Sequence, residues 1–108
     1  MAFFVSRVTV KDPDQLQRVW KSLKRLNSLH GCTYCRLLQA QGKPDTFLLI
    51  QDFPSMVDVY KYADFLGRKN VLEDAGVLDL RPEFYEETGE PGQPDASLSA
   101  DLPPLGAR

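Results

Sequence analysis

The chain has 108 residues, 43% of them apolar and 26% charged, with a formal net charge of −2. That bounds it to one soluble domain, too short for two independent cores, and a pI near 5.3 asks for no polyanion partner. No apolar run approaches the roughly 18 residues of a membrane span.

MAFFVSRVTV at the N-terminus has neither a basic stretch nor an apolar region long enough for a signal peptide. Two cysteines without a secretion signal place the protein in a reducing cytoplasm, where a structural disulfide is not expected. Residues 3–10, FFVSRVTV, are rich in β-branched and aromatic side chains and read as a strand. A helix start follows, with Asp12 as N-cap, Pro13 in the first helical position and Gln15 three residues after the cap. Leu16, Val19, Trp20, Leu23, Leu26 and then Leu29 or His30 recur at spacings of three and four, which is one apolar stripe of an amphipathic helix. Gly31 sits where a C-terminal cap residue belongs.

CTYCRLLQAQ reads as a second strand, GKPD as a turn and TFLLIQDF as a third strand paired with the second. Ser55 then caps a second helix, with Asp58 in the capping-box position. Met56, Val59, Tyr60, Ala63 and Phe65 form its buried side, and Gly67 is expected to break it. RKNVLEDAG adds a turn or two ending at Gly76, and VLDLRPEFYEE is the last strand, with Pro82 marking an edge or a bulge. Residues 88–108 hold four of the eight prolines, three of the seven glycines, no aromatic residue and a net charge of −2. They are expected to form a disordered Pro/Gly-rich tail behind a folding unit of residues 1–87.

The order β-α-β-β-α-β implies an α+β, ferredoxin-like fold: a four-stranded antiparallel sheet with both helices on one face. FFV and TFLLI are apolar on both sides, whereas an antiparallel strand with one solvated face should alternate. A second copy is the economical cover, so a homodimer is expected.

LHGCTYCRLL places the only histidine two residues before a C-x-x-C. On a strand, Cys32 and Cys35 would point to opposite faces, and the preceding helix ends before the pair instead of starting after it. One histidine and two divergent thiols cannot complete a zinc site, so no metal is expected. Arg18, Lys21, Lys24 and Arg25 form a basic helix face on a neutral folding unit and are read as solvated. The same element order occurs in RNA-recognition modules, but TFLLIQDF lacks their basic residue and glycine, so no nucleic acid is expected.

Trp20, Tyr34, Phe53, Tyr60, Tyr62 and Phe65 come from elements that should meet between sheet and helices. With Arg36 and Asp52 on adjacent strands, they are more polar than so small a core requires. A small cavity with a few convergent polar groups would accommodate them. Composition and spacing name no reaction.

Across residues 3 to about 86 the chain resembles the antibiotic biosynthesis monooxygenase-like group of the dimeric α/β-barrel superfamily. The resemblance rests on the element order, the HGC entry to the second strand and the run IQDFPSMVDVYKY. That run is similar to a strand ending acidic-x-aromatic, then serine, then a short helix carrying a histidine. Gln51 stands at the acidic position, Phe53 at the usual tryptophan, Ser55 at the serine and Tyr62 at or near the histidine. The resemblance implies a homodimeric barrel with one pocket per protomer, binding a small aromatic or apolar molecule. Haem degraders of this fold use a strand-one asparagine, the tryptophan and the histidine, where this chain has Ser6, Phe53 and Tyr62, which argues against haem. A cofactor-free monooxygenase acting on a phenolic or polyketide-like substrate needs an apolar pocket, one base and one or two donors. Tyr62, Asp52 and His30 are then the candidate catalytic residues, and Trp20, Tyr34, Arg36, Phe53 and Tyr60 the candidate substrate-binding residues. The competing reading is a non-catalytic ligand-binding or assembly module of the same fold.

Overall fold

Strict alternation organises the first strand, β1 (Ala2–Val10). Ala2, Phe4, Ser6, Val8 and Val10 are buried, and the residues between them are not. The computed structural model describes residues 1–68, 71–89 and 92. Within it, β1 is followed by α1 (Pro13–Leu29), β2 (Tyr34–Gln39), β3 (Thr46–Phe53), α2 (Met56–Arg68), the single-turn α3 (Val71–Asp74) and β4 (Val77–Glu86). The strands form one antiparallel sheet in the order β2-β3-β1-β4. The helices pack on one face, as the β-α-β-β-α-β order requires. Of the expected tail of 88–108, all but residues 88, 89 and 92 lie outside the described residues.

The helix ends follow local chemistry. Asp12 Oδ1 accepts from the Asp14 amide at 3.0 Å, and Pro13 opens α1. At the other end Gly31 adopts φ +95°, the Gly31 amide donates to Ser28 O and the Cys32 amide to Asn27 O, a Schellman closure. Gln15 does not fold back onto the cap; its amide donates to Asp74 O at 3.1 Å and ties α3 to α1. Ser55 Oγ caps α2 by accepting from the Asp58 amide, and donates to the Asp58 carboxylate at 2.9 Å.

Gly67 does not end α2, which runs on to Arg68. A single helical glycine costs only about 1 kcal/mol, less than Val59, Tyr62 and Leu66 gain by being buried along the same helix. These three define its inner side, and Tyr60, expected there, is exposed. Pro82 lies on β4, an edge strand, where its missing N–H leaves no ladder bond unmade. The register between β1 and β4 shifts at Thr9/Val10. Phe4, Phe47 and Phe53 are fully buried under the helices, each stabilising the fold by about 1.5–3 kcal/mol.

Candidate functional site

Between sheet and helices lies a partly open apolar pocket of about 40 Å³. Val8, Leu37, Leu49 and Leu80 form its floor, Trp20, Leu23 and Asn27 come from α1, and Tyr62 and Leu66 from α2. A second cavity of about 230 Å³ lies between α1 and α3 and shares Leu23, Val71 and Ala75 with the first. Those three residues lie between the two. Among the described residues, none lining the first cavity is charged.

Its polar content is concentrated in one pair. The Tyr62 hydroxyl donates to Asn27 Oδ1 at 2.6 Å, and both residues are 3% exposed. Burial pushes the Tyr62 phenol up to about 12, and the neighbouring Cys32 and Cys35 thiols add to this while the Gln51 amide opposes it. At neutral pH Tyr62 is therefore a donor and not a base. Asn27 lies on the inner side of α1, where the apolar stripe was expected to continue toward Leu29, which is instead exposed. Beside the pair, Ser6 and Gln51 are wholly buried; Ser6 Oγ has no hydrogen-bond partner, and the Gln51 amide has none at ordinary geometry beyond the adjoining Tyr62 hydroxyl. Each such group left unpaired costs about 1–3 kcal/mol. Register puts Ser6 opposite Leu49 and next but one to Val8, both in the cavity floor, and Gln51 opposite Phe4 and Cys35.

The eight residues singled out from sequence do not converge. Tyr62 and Trp20 line the cavity. Phe53 packs beside Tyr62, ring centroids 5.3 Å apart, in the adjoining core. Tyr34, Arg36 and Asp52 were expected between sheet and helices. They occupy strand positions of the opposite parity and lie on the open face of the sheet, where Arg36 sits over the Tyr34 ring at 5.8 Å. His30 is the exposed C-cap of α1, stacked on Phe65 at 3.8 Å. Tyr60 turns outward from α2 against Phe84, ring centroids 5.8 Å apart. Sequence reasoning passed over Asn27 and gave neither Ser6 nor Gln51 a binding role. The available signal was a polar residue at an apolar-parity position: Ser6 between Phe4 and Val8, Gln51 between Leu49 and Phe53, Asn27 four residues after Leu23.

The thiols need a correction as well. Cys32 precedes β2, so strand alternation does not apply to it. Its thiol donates to Tyr34 O at 3.2 Å, and the Cys35 thiol lies within hydrogen-bonding reach of Cys32 and Asn27. Burial pushes Cys32 up to about 11 and raises Cys35 too, so both stay protonated and unreactive near neutrality. Among the described residues no three histidine, cysteine or acidic side chains are grouped to hold a metal ion, and no helix is long and apolar enough to cross a membrane.

No family model matches the sequence, and no curated protein matches it. Solved structures do match. One is a Deinococcus radiodurans protein assigned as an antibiotic biosynthesis monooxygenase, 14% identical with TM-score 0.63 over 88% of this chain and all of that one. Another is an N63A mutant of SnoaB, a cofactor-independent oxygenase from Streptomyces nogalater, 18% identical with TM-score 0.60 over 87% of this chain and 97% of that one. A third is a dimeric ferredoxin-like protein from an uncultured marine organism, 10% identical with TM-score 0.59 over 86% of this chain and all of that one. The chain has the ferredoxin-like fold of the antibiotic biosynthesis monooxygenase structures.

Proposed function

We propose that the protein is a cytoplasmic homodimer whose protomers each bind a small apolar or aromatic molecule between sheet and helices. The observation that carries the binding reading is an uncharged apolar cavity whose lining offers a buried Tyr62–Asn27 pair as polar handle. Such a lining accepts apolar bodies, and the pair orients them. At about 40 Å³ the cavity is smaller than the 150 Å³ that admits benzene. An aromatic guest therefore enters by displacing the Leu23–Val71–Ala75 wall toward the second cavity.

Support for the dimer comes from the open face. Phe3, Val5, Leu48 and Ile50 form its centre, with Leu38 beside them and 47% exposed. Asp52 Oδ1 is buried there without a partner. An apolar sheet face of this kind marks an interaction surface, and one of the structures with the same fold is a dimeric ferredoxin-like protein.

The reaction we assign is cofactor-independent monooxygenation of a phenolic substrate, which the fold shared with SnoaB favours. One oxygen atom of O₂ enters the substrate and the other leaves as water, the substrate supplying the electrons. Tyr62, protonated near neutrality, would donate to the developing oxyanion. Among the described residues no carboxylate or imidazole lines the cavity, so the substrate must be acidic enough to ionise without a base from that lining. Oxygen uptake across a series of phenols of falling pKa tests this. Turnover that increases as the phenol becomes more acidic, and is lost in Tyr62→Phe, supports the reaction. Saturable binding without oxygen uptake would leave the protein a ligand-binding module.

A further inference from the structure

One row of side chains across the open face runs Arg36 on β2, Ile50 on β3, Val5 on β1 and Glu83 on β4. It is a cation, two apolar side chains and an acid. Arg36 and Glu83 are both exposed in the single chain. Three strand spacings, about 14 Å, separate them, so they do not pair within one protomer. Arg36 lies over the Tyr34 ring, and among the described residues no acidic side chain of its own chain holds it. Glu83 accepts from the Tyr85 hydroxyl and, among the described residues, has no cationic partner.

A row of this kind is its own complement when reversed. Two aligned sheets meet about a two-fold axis that runs either along the strands or across them. An axis along the strands reverses the row, so that Arg36 meets Glu83 of the partner subunit and Ile50 meets the partner's Val5. In the row on one side it apposes Tyr34 and the partner's Tyr85, both about half exposed in the single chain. In the row on the other side it lays Leu38 on the partner's Arg81 and Leu48 on the partner's Arg7. Arginine stems cover apolar surface well, and both arginines line a polar depression with Lys43 and Thr46 that keeps their heads wet. The same axis brings β4 beside the partner's β2. These are the two edge strands and they run in opposite directions, so each shields the other's unpaired ladder groups. An axis across the strands fits worse. Passed through the row, it sets Arg36 on the partner's Arg36; passed beside it, it sets Val5 on the partner's Arg7.

We propose that the open faces associate about a two-fold axis along the strands, with Arg36 and Glu83 pairing across both edges to fix the register. This rests on the dimer assigned above and narrows it to one arrangement. Charge pairs at the rim of an interface set register and exclude wrong alignments.

The test is charge exchange on the full chain, read by sedimentation equilibrium at low salt. Arg36→Glu and Glu83→Arg each put like charges at both edges, and each should weaken the dimer about tenfold or more. An equimolar mixture of the two variants should form a heterodimer of near wild-type affinity, and so should the doubly exchanged chain with itself. Both side chains are exposed, and recovery in the mixture shows that each variant is folded. Weakening without recovery, or no weakening at all, would overturn the pairing and leave the wild-type dimer standing. Recovery of Glu83→Arg by Arg81→Glu instead would put the axis across the strands, which also overturns it. If the wild-type chain sediments as a monomer, the dimer reading falls and this inference with it.

Discussion

Phe3 and Phe4 are neighbours in sequence, identical in chemistry and opposite in fate. Phe4 is buried against Tyr62 and Phe84, with ring centroids 5.7 and 5.4 Å away. Phe3 lies on the open face in line with Tyr34, Asp52 and Tyr85. The helix-facing side is completed by the chain's own helices and still retains unpaired polar groups. The open side is apolar at its centre, and none of the described helices covers it. A core that keeps polar groups and a surface that keeps apolar ones depart from folding economy in opposite directions, and the function proposed above assigns each departure a role: a small molecule on one side, a second copy on the other.

Several substitutions and conditions separate the two sides. Phe4→Ala should cost about 3–5 kcal/mol and lower Tm equally at every protein concentration, as differential scanning calorimetry over a dilution series would register. Next comes alkaline pH. The folded-state pKa of Tyr62 lies at about 12, above its ordinary 10, so its contribution is complete below pH 10 and disappears as pH rises toward 12. The loss amounts to about 2–3 kcal/mol, and chemical denaturation at pH 9 and pH 11.5 measures it. Tyr62→Phe should flatten that decline while giving up the hydrogen bond to Asn27, about 1 kcal/mol at neutral pH.

Phe3→Ala should cost about 2 kcal/mol only where the dimer is populated. Its Tm deficit should therefore shrink on dilution, unlike that of Phe4→Ala, and a deficit independent of concentration would remove the open face from the interface. The smallest effect concerns two glycines. Gly67 lies in α2 with open space where a Cβ would be, so Gly67→Ala should stabilise by about 0.4–1 kcal/mol. Gly76 has φ +76°, and its Cβ would fall 2.9 Å from Gln15 Oε1, so Gly76→Ala should destabilise, as thermal melts of the two variants would show.

The frame of the molecule was legible in the sequence because its signals are local. Asp12-Pro13, Ser55 and Gly31 mark helix ends by hydrogen-bonding and backbone preferences that need no tertiary context. TFLLIQDF forms β3 over its whole length. The site was less legible because membership depends on parity. Grouping aromatic and charged residues by element put Arg36, Asp52 and Tyr34 with Tyr62, although a shift of one position along a strand crosses the sheet. Gln51 and Asp52 are adjacent, and the buried neutral side chain faces the helices while the acid faces outward. Asn27 was hidden for another reason: α1 offered enough leucines to complete a stripe without it, and its burial depends on Tyr62, 35 residues away.

Native mass spectrometry of the freshly purified full chain, without added ligand, tests both sides at once. The account predicts a dimer that releases a small neutral molecule on collisional activation. A ligand-free monomer at micromolar concentration would contradict it.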